Sequence, residues 1–106
     1  MGISVIAGAE SVAYWNDTAR EFSDDSAGVP FRIRTLDYFT AQAVLAYDED
    51  VDRVRACIEA GLVSIDGSAT EAEGFKLSPL ARVCNPLFDA IWSATWGNSE
   101  HQTASE

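Results

Sequence analysis

Residues 35–67 read T-L-D-Y-F-T-A-Q-A-V-L-A-Y-D-E-D-V-D-R-V-R-A-C-I-E-A-G-L-V-S-I-D-G, and residues 73–82 add E-G-F-K-L-S-P-L-A-R. Apolar residues recur at intervals of three and four on both sides of the acidic run Asp48-Glu49-Asp50, which predicts two short helices. The second helix is predicted to span residues 50–60, with Gly61 as its stop. These two helices decide the fold, because a pair of strands is predicted to follow them directly.

The first of the two helices is predicted to begin at Thr35, whose hydroxyl can cap it, with Asp37 in the first turn. Its apolar stripe is predicted to comprise Leu36, Phe39, Ala43, Leu45 and Ala46. The apolar face of the second helix is predicted to comprise Val51, Val54, Cys57 and Ile58. Both faces are expected to pack against one core.

A two-stranded wing is predicted to follow the second helix. Residues 62–65 read L-V-S-I, which is typical of a strand. Residues 66–74 are a polar loop that contains two glycines, and residues 75–77 are predicted to be the returning strand.

The N-terminal part has apolar residues at helical spacing, which predicts a helix over residues 9–23. The residues on its apolar face are Val12, Trp15, Ala19 and Phe22. A hairpin is the alternative, with strands I-S-V-I and S-V-A-Y-W joined around Gly8-Ala9, because β-branched and aromatic residues are dense there. Residues 31–34 alternate apolar residues with arginines, which predicts a short, half-exposed strand.

The C-terminal part is predicted to contain a short helix over residues 79–84 and a second helix over residues 86–96. The prediction rests on a helix-start signal, a capping residue followed by proline, which occurs twice, at Ser78-Pro79 and Asn85-Pro86. Gly97 ends the last helix. Residues 1–96 are therefore expected to form a single domain, and residues 97–106 a polar disordered tail.

The order of helix, short strand, two helices, two-stranded wing and C-terminal helix resembles that of winged helix-turn-helix domains. V-R-A-C-I-E-A-G-L-V at 54–63 is similar to the end of that family's third helix, and G-F-K-L-S-P-L-A-R at 74–82 to the return from its wing. The predicted fold class is α+β, mainly helical and winged-helix-like. The resemblance implies that helix 50–60 would enter the major groove and that the wing would touch the DNA.

The negative net charge of the chain argues against DNA binding. The 106 residues carry 17 acidic and 7 basic side chains, a net charge of −10. The acids of the helix and wing that would meet DNA are Asp48, Glu49, Asp50, Asp52, Glu59, Asp66, Glu71 and Glu73. Because phosphate repels such a surface, these residues are predicted to bind a protein partner and to block its basic, nucleic-acid-binding surface. A solvated acidic surface without a partner is the alternative.

In size, charge and fold style, the chain resembles small acidic phage-encoded inhibitors such as anti-CRISPR proteins. Two other functions stay open. A DNA-binding transcriptional regulator would use the basic cluster Arg32, Arg34, Arg53 and Arg55, unless neighbouring acids pair with these arginines. A structural subunit of a virion or larger assembly, or a homodimer, would be held by Phe88, Trp92 and Trp96 of the last helix, unless these aromatics fill the core.

Residues for common catalytic chemistry are sparse. His101 is the only histidine and lies in the polar tail, so neither a catalytic triad nor a His/Cys metal site is expected. No glycine-rich phosphate loop is present. Cys57 and Cys84 are expected to be buried thiols, with a disulfide or a metal pair as the alternative. The sequence thus predicts a protein that is not an enzyme and has no cofactor or metal.

No run of about 18 apolar residues is present, and the apolar N-terminus has no preceding basic residue. The chain is therefore expected to act in the cytoplasm, that of the host if the gene is viral, without a membrane partner.

Overall fold

The computed structural model describes residues 8–97, which form two layers. The first layer is an antiparallel sheet of order β2-β1-β3-β4, comprising β1 (Glu10–Asn16), β2 (Glu21–Ser23), β3 (Val29–Arg34) and β4 (Leu62–Ile65). The second layer comprises the helices α1 (Tyr38–Ala46), α2 (Asp50–Gly61), α3 (Ala69–Leu77) and α4 (Ala81–Trp96). The predicted α+β class is confirmed. Between residues 8 and 97, no helix is long and apolar enough to cross a membrane.

The alternation of buried and exposed side chains along β3 shows which face of the sheet the helices cover. Phe31 and Ile33 are buried, whereas Arg32 and Arg34 between and after them are exposed. The strand predicted over residues 31–34 is confirmed. Successive side chains of a strand point to opposite faces, so the helices pack on the side of Phe31 and Ile33.

The helix predicted over residues 9–23 is wrong, because this segment is the hairpin β1–β2. Trp15 lies opposite Phe22, and their rings are 5.0 Å apart. Residues seven apart share a face in a helix, and these two also share a face as cross-strand neighbours, so the spacing did not separate the two structures. The alternative of a strand through S-V-A-Y-W is confirmed, but the observed turn is at residues 17–20, and I-S-V-I lies outside the described residues.

Helix α1 begins two residues later than predicted. Asp37 is its N-cap, and its carboxylate accepts hydrogen bonds from the main-chain N–H groups of Phe39 and Thr40. Thr35 instead extends the β1–β3 ladder, because its N–H donates to the carbonyl oxygen of Ala9. The buried residues of α1 are Ala41 and Val44, so the predicted stripe is wrong except for Leu36, which precedes the helix and is buried.

Helix α2 and strand β4 confirm the predictions for residues 50–60 and 62–65. Gly61 is the last residue of α2 and lies against α4, where an added Cβ would stand 2.6 Å from Cγ2 of Ile91. The absence of a side chain thus lets the two helices pack closely. Of the predicted apolar face, Cys57 and Ile58 are buried, whereas Val51 is exposed.

The predicted wing is absent between residues 66 and 77. Strand β4 pairs with β3, and the predicted loop and returning strand are replaced by α3. Asp66 and Gly67 make a left-handed turn, after which the hydroxyl of Ser68 accepts from the N–H of Glu71 and caps the helix. Phe75 therefore lies on a helix, with its ring 6.0 Å from that of Phe31.

The two helices predicted for the C-terminal part form one continuous helix, α4. Pro86 lies inside it, in the second turn, where the missing N–H removes one main-chain hydrogen bond of the helix. Val83, Leu87 and Ile91 repeat every four residues and are buried in the core. Gly97 has a left-handed conformation and ends the helix as predicted.

The two cysteines are free thiols. Cys57 is buried in the core, and burial raises its pKa to about 12. Cys84 is half-buried, and its Sγ–H donates to the carbonyl oxygen of Leu80 at 3.5 Å.

Candidate interaction surface

Helix α1 exposes large apolar side chains on the side that faces away from the core. The exposed fractions are 61% for Tyr38, 80% for Phe39, 45% for Leu45 and 46% for Tyr47, and we call these four residues the α1 surface. Residues 38–47 contain no charged side chain, so α1 lacks the charged outer face of an amphipathic helix. A helix of this kind is normally buried on both sides, whereas only the side of Ala41 and Val44 is buried here.

The start of the α1 surface is fixed by Asp37. Its Oδ2 accepts from the N–H groups of Phe39 at 3.0 Å and Thr40 at 3.2 Å, and its Oδ1 accepts from the Thr40 hydroxyl at 2.6 Å. The hydrogen bond from the Thr40 hydroxyl is the main reason that the pKa of Asp37 lies below its usual value. The helix start is thereby held in place, and the Tyr38 and Phe39 rings, 5.6 Å apart, stay at the surface.

The acidic turn, defined as Asp48, Glu49 and Asp50, joins the end of α1 to the start of α2. All three residues are exposed. Glu49 is the N-cap residue of α2, and Asp50 lies in its first turn, where the helix dipole favours a negative charge. The acidic turn follows Tyr47 directly, so negative charge lies at one end of an apolar surface.

Arg53 fixes the acidic turn relative to α1. Its Nε donates to the carbonyl oxygen of Tyr47 at 2.8 Å, and its guanidinium lies 3.4 Å from the Asp50 carboxylate. The arginine thus bonds to the last residue before the turn and to the last residue within it.

The aromatic band of α4 adjoins the α1 surface. Phe88 and Trp92 stack with centroids 5.6 Å apart and line a groove of about 540 Å³ together with Leu45 and Arg53. Trp96 continues the band at 5.7 Å from Trp92 and is exposed. The residues predicted as an oligomer interface thus extend the apolar area around α1, while Phe88 and Trp92 also pack against the core.

The eight predicted partner-binding acids do not form one surface. Because α3 replaces the wing, Asp66 lies at the turn before α3, and Glu71 and Glu73 lie on that helix. Glu71 lines a cleft with Trp15 and Val29, whereas Glu59 lines another cleft, between α2 and α4. Asp48, Glu49 and Asp50 remain together, and Asp52 lies with Asp50 in the first turn of α2.

The four arginines predicted as a DNA-binding cluster are also separated. Arg32 lies on the sheet face away from the helices, 3.6 Å from Glu10, whereas Arg34, the last residue of β3, donates to the carbonyl oxygen of Ala60 near the end of α2. Arg53 lines the groove with Phe88, and Arg55 lines the cleft on the other flank of α2. Pairing with neighbouring acids, the alternative drawn from the sequence, is observed for Arg53 with Asp50.

Across residues 8–97, no group of three or more His, Cys, Asp or Glu side chains is placed to hold a metal ion. His101 lies outside the described residues. The chain matches no protein-family model, no curated protein and no solved structure.

The sequence did not predict any residue of the α1 surface as a binding residue: Phe39 and Leu45 were assigned to the core-facing stripe, and Tyr38 and Tyr47 were given no role. The signal was the run Y-F-T-A-Q-A-V-L-A-Y, ten residues without a charge between two acidic residues. A helix on the outside of a small domain normally carries charges on its outer face. Their absence from this run indicates a second apolar face.

Proposed function

We propose that this chain is a non-enzymatic binding protein that docks on a protein partner through the α1 surface, while the acidic turn pairs with basic residues of that partner. The observation that carries the proposal is the placement of four large exposed apolar side chains beside three exposed carboxylates. Aromatic residues dominate the energy of protein interfaces. Each apolar side chain of this size removed from water contributes about 1.5–3 kcal/mol before the costs of association.

The partner that fits this surface has an apolar patch bordered by lysine or arginine. Surfaces that bind nucleic acid have this basic character, and the carboxylates of the acidic turn would occupy positions that phosphates otherwise take. The net charge of −10 would also steer the chain toward such a partner and speed their encounter. Occupation of that surface would exclude nucleic acid, which is the action of an inhibitor.

The first experiment is capture of partners from lysate of the source organism, or of its host, with and without nuclease. The proposal requires that the chain captures a basic protein, that nuclease treatment does not abolish this capture, and that added oligonucleotide displaces the protein from the chain. Phe39→Ser with Tyr47→Ser should abolish its capture, and so should Asp48→Lys with Glu49→Lys. All variants should keep the circular dichroism spectrum of the wild type, because the changed side chains are exposed.

Two matched controls make the result specific. Leu77→Ser removes an apolar side chain that is 88% exposed on α3 and does not belong to the α1 surface. Glu59→Lys with Glu73→Lys changes the net charge as much as the change in the acidic turn does. Equal loss of capture in the controls would refute the proposal, because binding would then depend on overall charge or hydrophobicity.

The same experiment separates the alternatives. Recovery of DNA alone, lost after nuclease and weakened by Arg32→Ala with Arg34→Ala, would favour a DNA-binding regulator. A concentration-dependent oligomer that dissociates in Trp96→Ser would favour the structural subunit or homodimer. Either result, without a protein partner at the α1 surface, would contradict the inhibitor proposal.

A further inference from the structure

Strand β1 is longer than the strand on one side of it. Residues 10–15 of β1 pair with β3, whereas β2 pairs only with Tyr14, Trp15 and Asn16. Among the described residues, Glu10–Ala13 thus have no neighbouring strand on the β2 side. We call this segment the open edge of β1.

Hydrogen bonds at both ends of β1 show which backbone groups face the open edge. The carbonyl oxygen of Ala9 accepts from Thr35 N–H beside β3, and that of Asn16 accepts from Arg20 N–H on the opposite side. Because these directions alternate along an antiparallel strand, the N–H and C=O groups of Glu10 and Val12 point to the open edge. A strand added there would pair with these two residues.

A groove of about 780 Å³ lies between the open edge of β1 and α4. Ala90, Ser93 and Ala94 of α4 line it, together with Ile33 of the sheet. Side chains this small let a peptide backbone approach α4 without a clash. The β1–α4 groove therefore has a floor of small side chains along which an extended segment can lie.

The charges around the β1–α4 groove select the kind of segment. Of the described residues that line it, Glu21, Asp24 and Asp89 are acidic and Arg20 alone is basic. The groove is thus negative, and it favours lysine or arginine on the side chains that point toward its rim.

We propose that the β1–α4 groove binds an extended basic segment of a partner protein, which adds as a strand along the open edge of β1, in line with β2. The backbone of the segment exchanges hydrogen bonds with Glu10 and Val12. One set of alternate side chains, small and apolar, lies over Ala90 and Ala94, and basic side chains approach Asp24 and Asp89. Strand addition of this kind draws affinity from the backbone and specificity from alternate side chains. This site shares no residue with the α1 surface.

The test uses the full chain and a seven-residue peptide that alternates lysine and valine, with binding followed by fluorescence anisotropy. Two further peptides carry N-methyl groups on alternate backbone nitrogens, one in each frame. Only one frame removes the N–H groups that would face β1, so one methylated peptide should bind about tenfold or more weakly and the other should bind like the parent. Equal affinity of both methylated peptides, or equal weakening of both, would overturn the proposal.

Variants of the protein test the same geometry. Val12→Pro removes an N–H that faces the open edge and spares the bonds to β3, and Ala90→Leu fills the floor of the groove. Both variants should weaken peptide binding. Ala90→Leu keeps the test valid if the proline of Val12→Pro disturbs β1. Asp24→Asn with Asp89→Asn should weaken binding, whereas Asp48→Asn with Glu49→Gln, an equal change of charge in the acidic turn, should not. Equal effects of the two pairs would mean that only net charge attracts the peptide.

Hydrogen exchange of the free chain provides a second check. The Glu10 and Val12 amides should exchange quickly without peptide and become protected when it is bound. Protection of both amides before peptide is added would refute the proposal, because the edge would already be paired within the chain or with a second copy. Failure of the α1 surface to bind a partner would leave these outcomes unchanged.

Discussion

Arg53 and Tyr47 are joined by a hydrogen bond of 2.8 Å from the arginine Nε to the tyrosine carbonyl oxygen, across the acidic turn. The same guanidinium lies 3.4 Å from Asp50. One side chain therefore links the residue before the acidic turn to the last residue within it. Such a fixed arrangement lowers the entropy that a partner must remove on binding.

Replacement of Arg53 by alanine is expected to release the acidic turn without unfolding the domain. The free energy of unfolding should fall by less than about 1 kcal/mol, because the ion pair is exposed. Exchange of the amides of residues 47–50 should become faster, and affinity for the protein partner should fall. Arg55→Ala, on the other flank of α2, is the control and should leave that exchange unchanged. Equal exchange in the two variants would show that Arg53 does not order the turn.

Gly61→Ala is expected to destabilise the domain by about 1–3 kcal/mol, because the new methyl group would overlap Cγ2 of Ile91 at 2.6 Å. The melting temperature should fall by about 4–8 °C for each kcal/mol. Gly74→Ala is the matched control within α3, where an added Cβ has nothing within 4 Å. It should stabilise by about 0.5–1 kcal/mol, since alanine favours a helix over glycine. A destabilising Gly74→Ala would argue against the helix at residues 69–77.

Asp17 should make stability depend on pH. Its carboxylate accepts from Arg82 Nε at 2.7 Å and from Trp15 Nε1 at 3.1 Å, and chiefly the bond from Arg82 lowers the pKa of Asp17 below its usual 3.8. Since the folded pKa is depressed, the stabilisation is present above the unfolded pKa and is lost as pH falls through the folded pKa. Asp17→Asn keeps an acceptor for Trp15 but not the charge for Arg82. Its melting temperature should thus fall less than that of the wild type between about pH 5 and pH 2, and an unchanged slope would contradict this assignment.

The two thiols should react at different rates. Cys57 is buried and its pKa is raised to about 12, so thiolate is scarce there at neutral pH. Burial also raises the pKa of Cys84, but this residue is only half-buried and lines the cleft between α2 and α4. A maleimide should therefore label Cys84 first in the native chain and both cysteines equally in denaturant. Cys84→Ser should remove the fast phase, and persistence of that phase would place the reactive thiol at Cys57.

The sequence predicted β3, α2, β4 and the end of α4 because local signals determine them. Arginine alternates with apolar residues in β3, and Gly97 supplies the left-handed residue that ends α4. Helix α3 was open to prediction as well: Ser68 and Glu71 form the S-x-x-E pattern of a helix start, but Gly74 and the polar composition favoured a loop. Winged-helix strings around this segment encode caps and packing, which other folds also use.

The α1 surface was beyond prediction for a different reason. The charged residues of an amphipathic helix mark its exposed side, so that its buried side can be predicted from the sequence. Residues 38–47 contain no charged residue. Only the contacts of Ala41 and Val44 with the core decide that Phe39 faces outward. The open edge of β1 depends likewise on the length of β2, which a local pattern of residues does not determine.

The bond between Asp17 and Arg82 spans 65 positions of the chain. It joins the first hairpin to the last helix, so the inner face of that hairpin, with Trp15 and Phe22, gains its cover only after α3 and α4 have been synthesised. During translation these aromatic side chains would be synthesised early and would stay exposed until almost the whole domain has been made. We expect folding on the ribosome to be late and nearly all-or-none, with the hairpin a ready binding site for a chaperone until Val83 and Leu87 have left the exit tunnel.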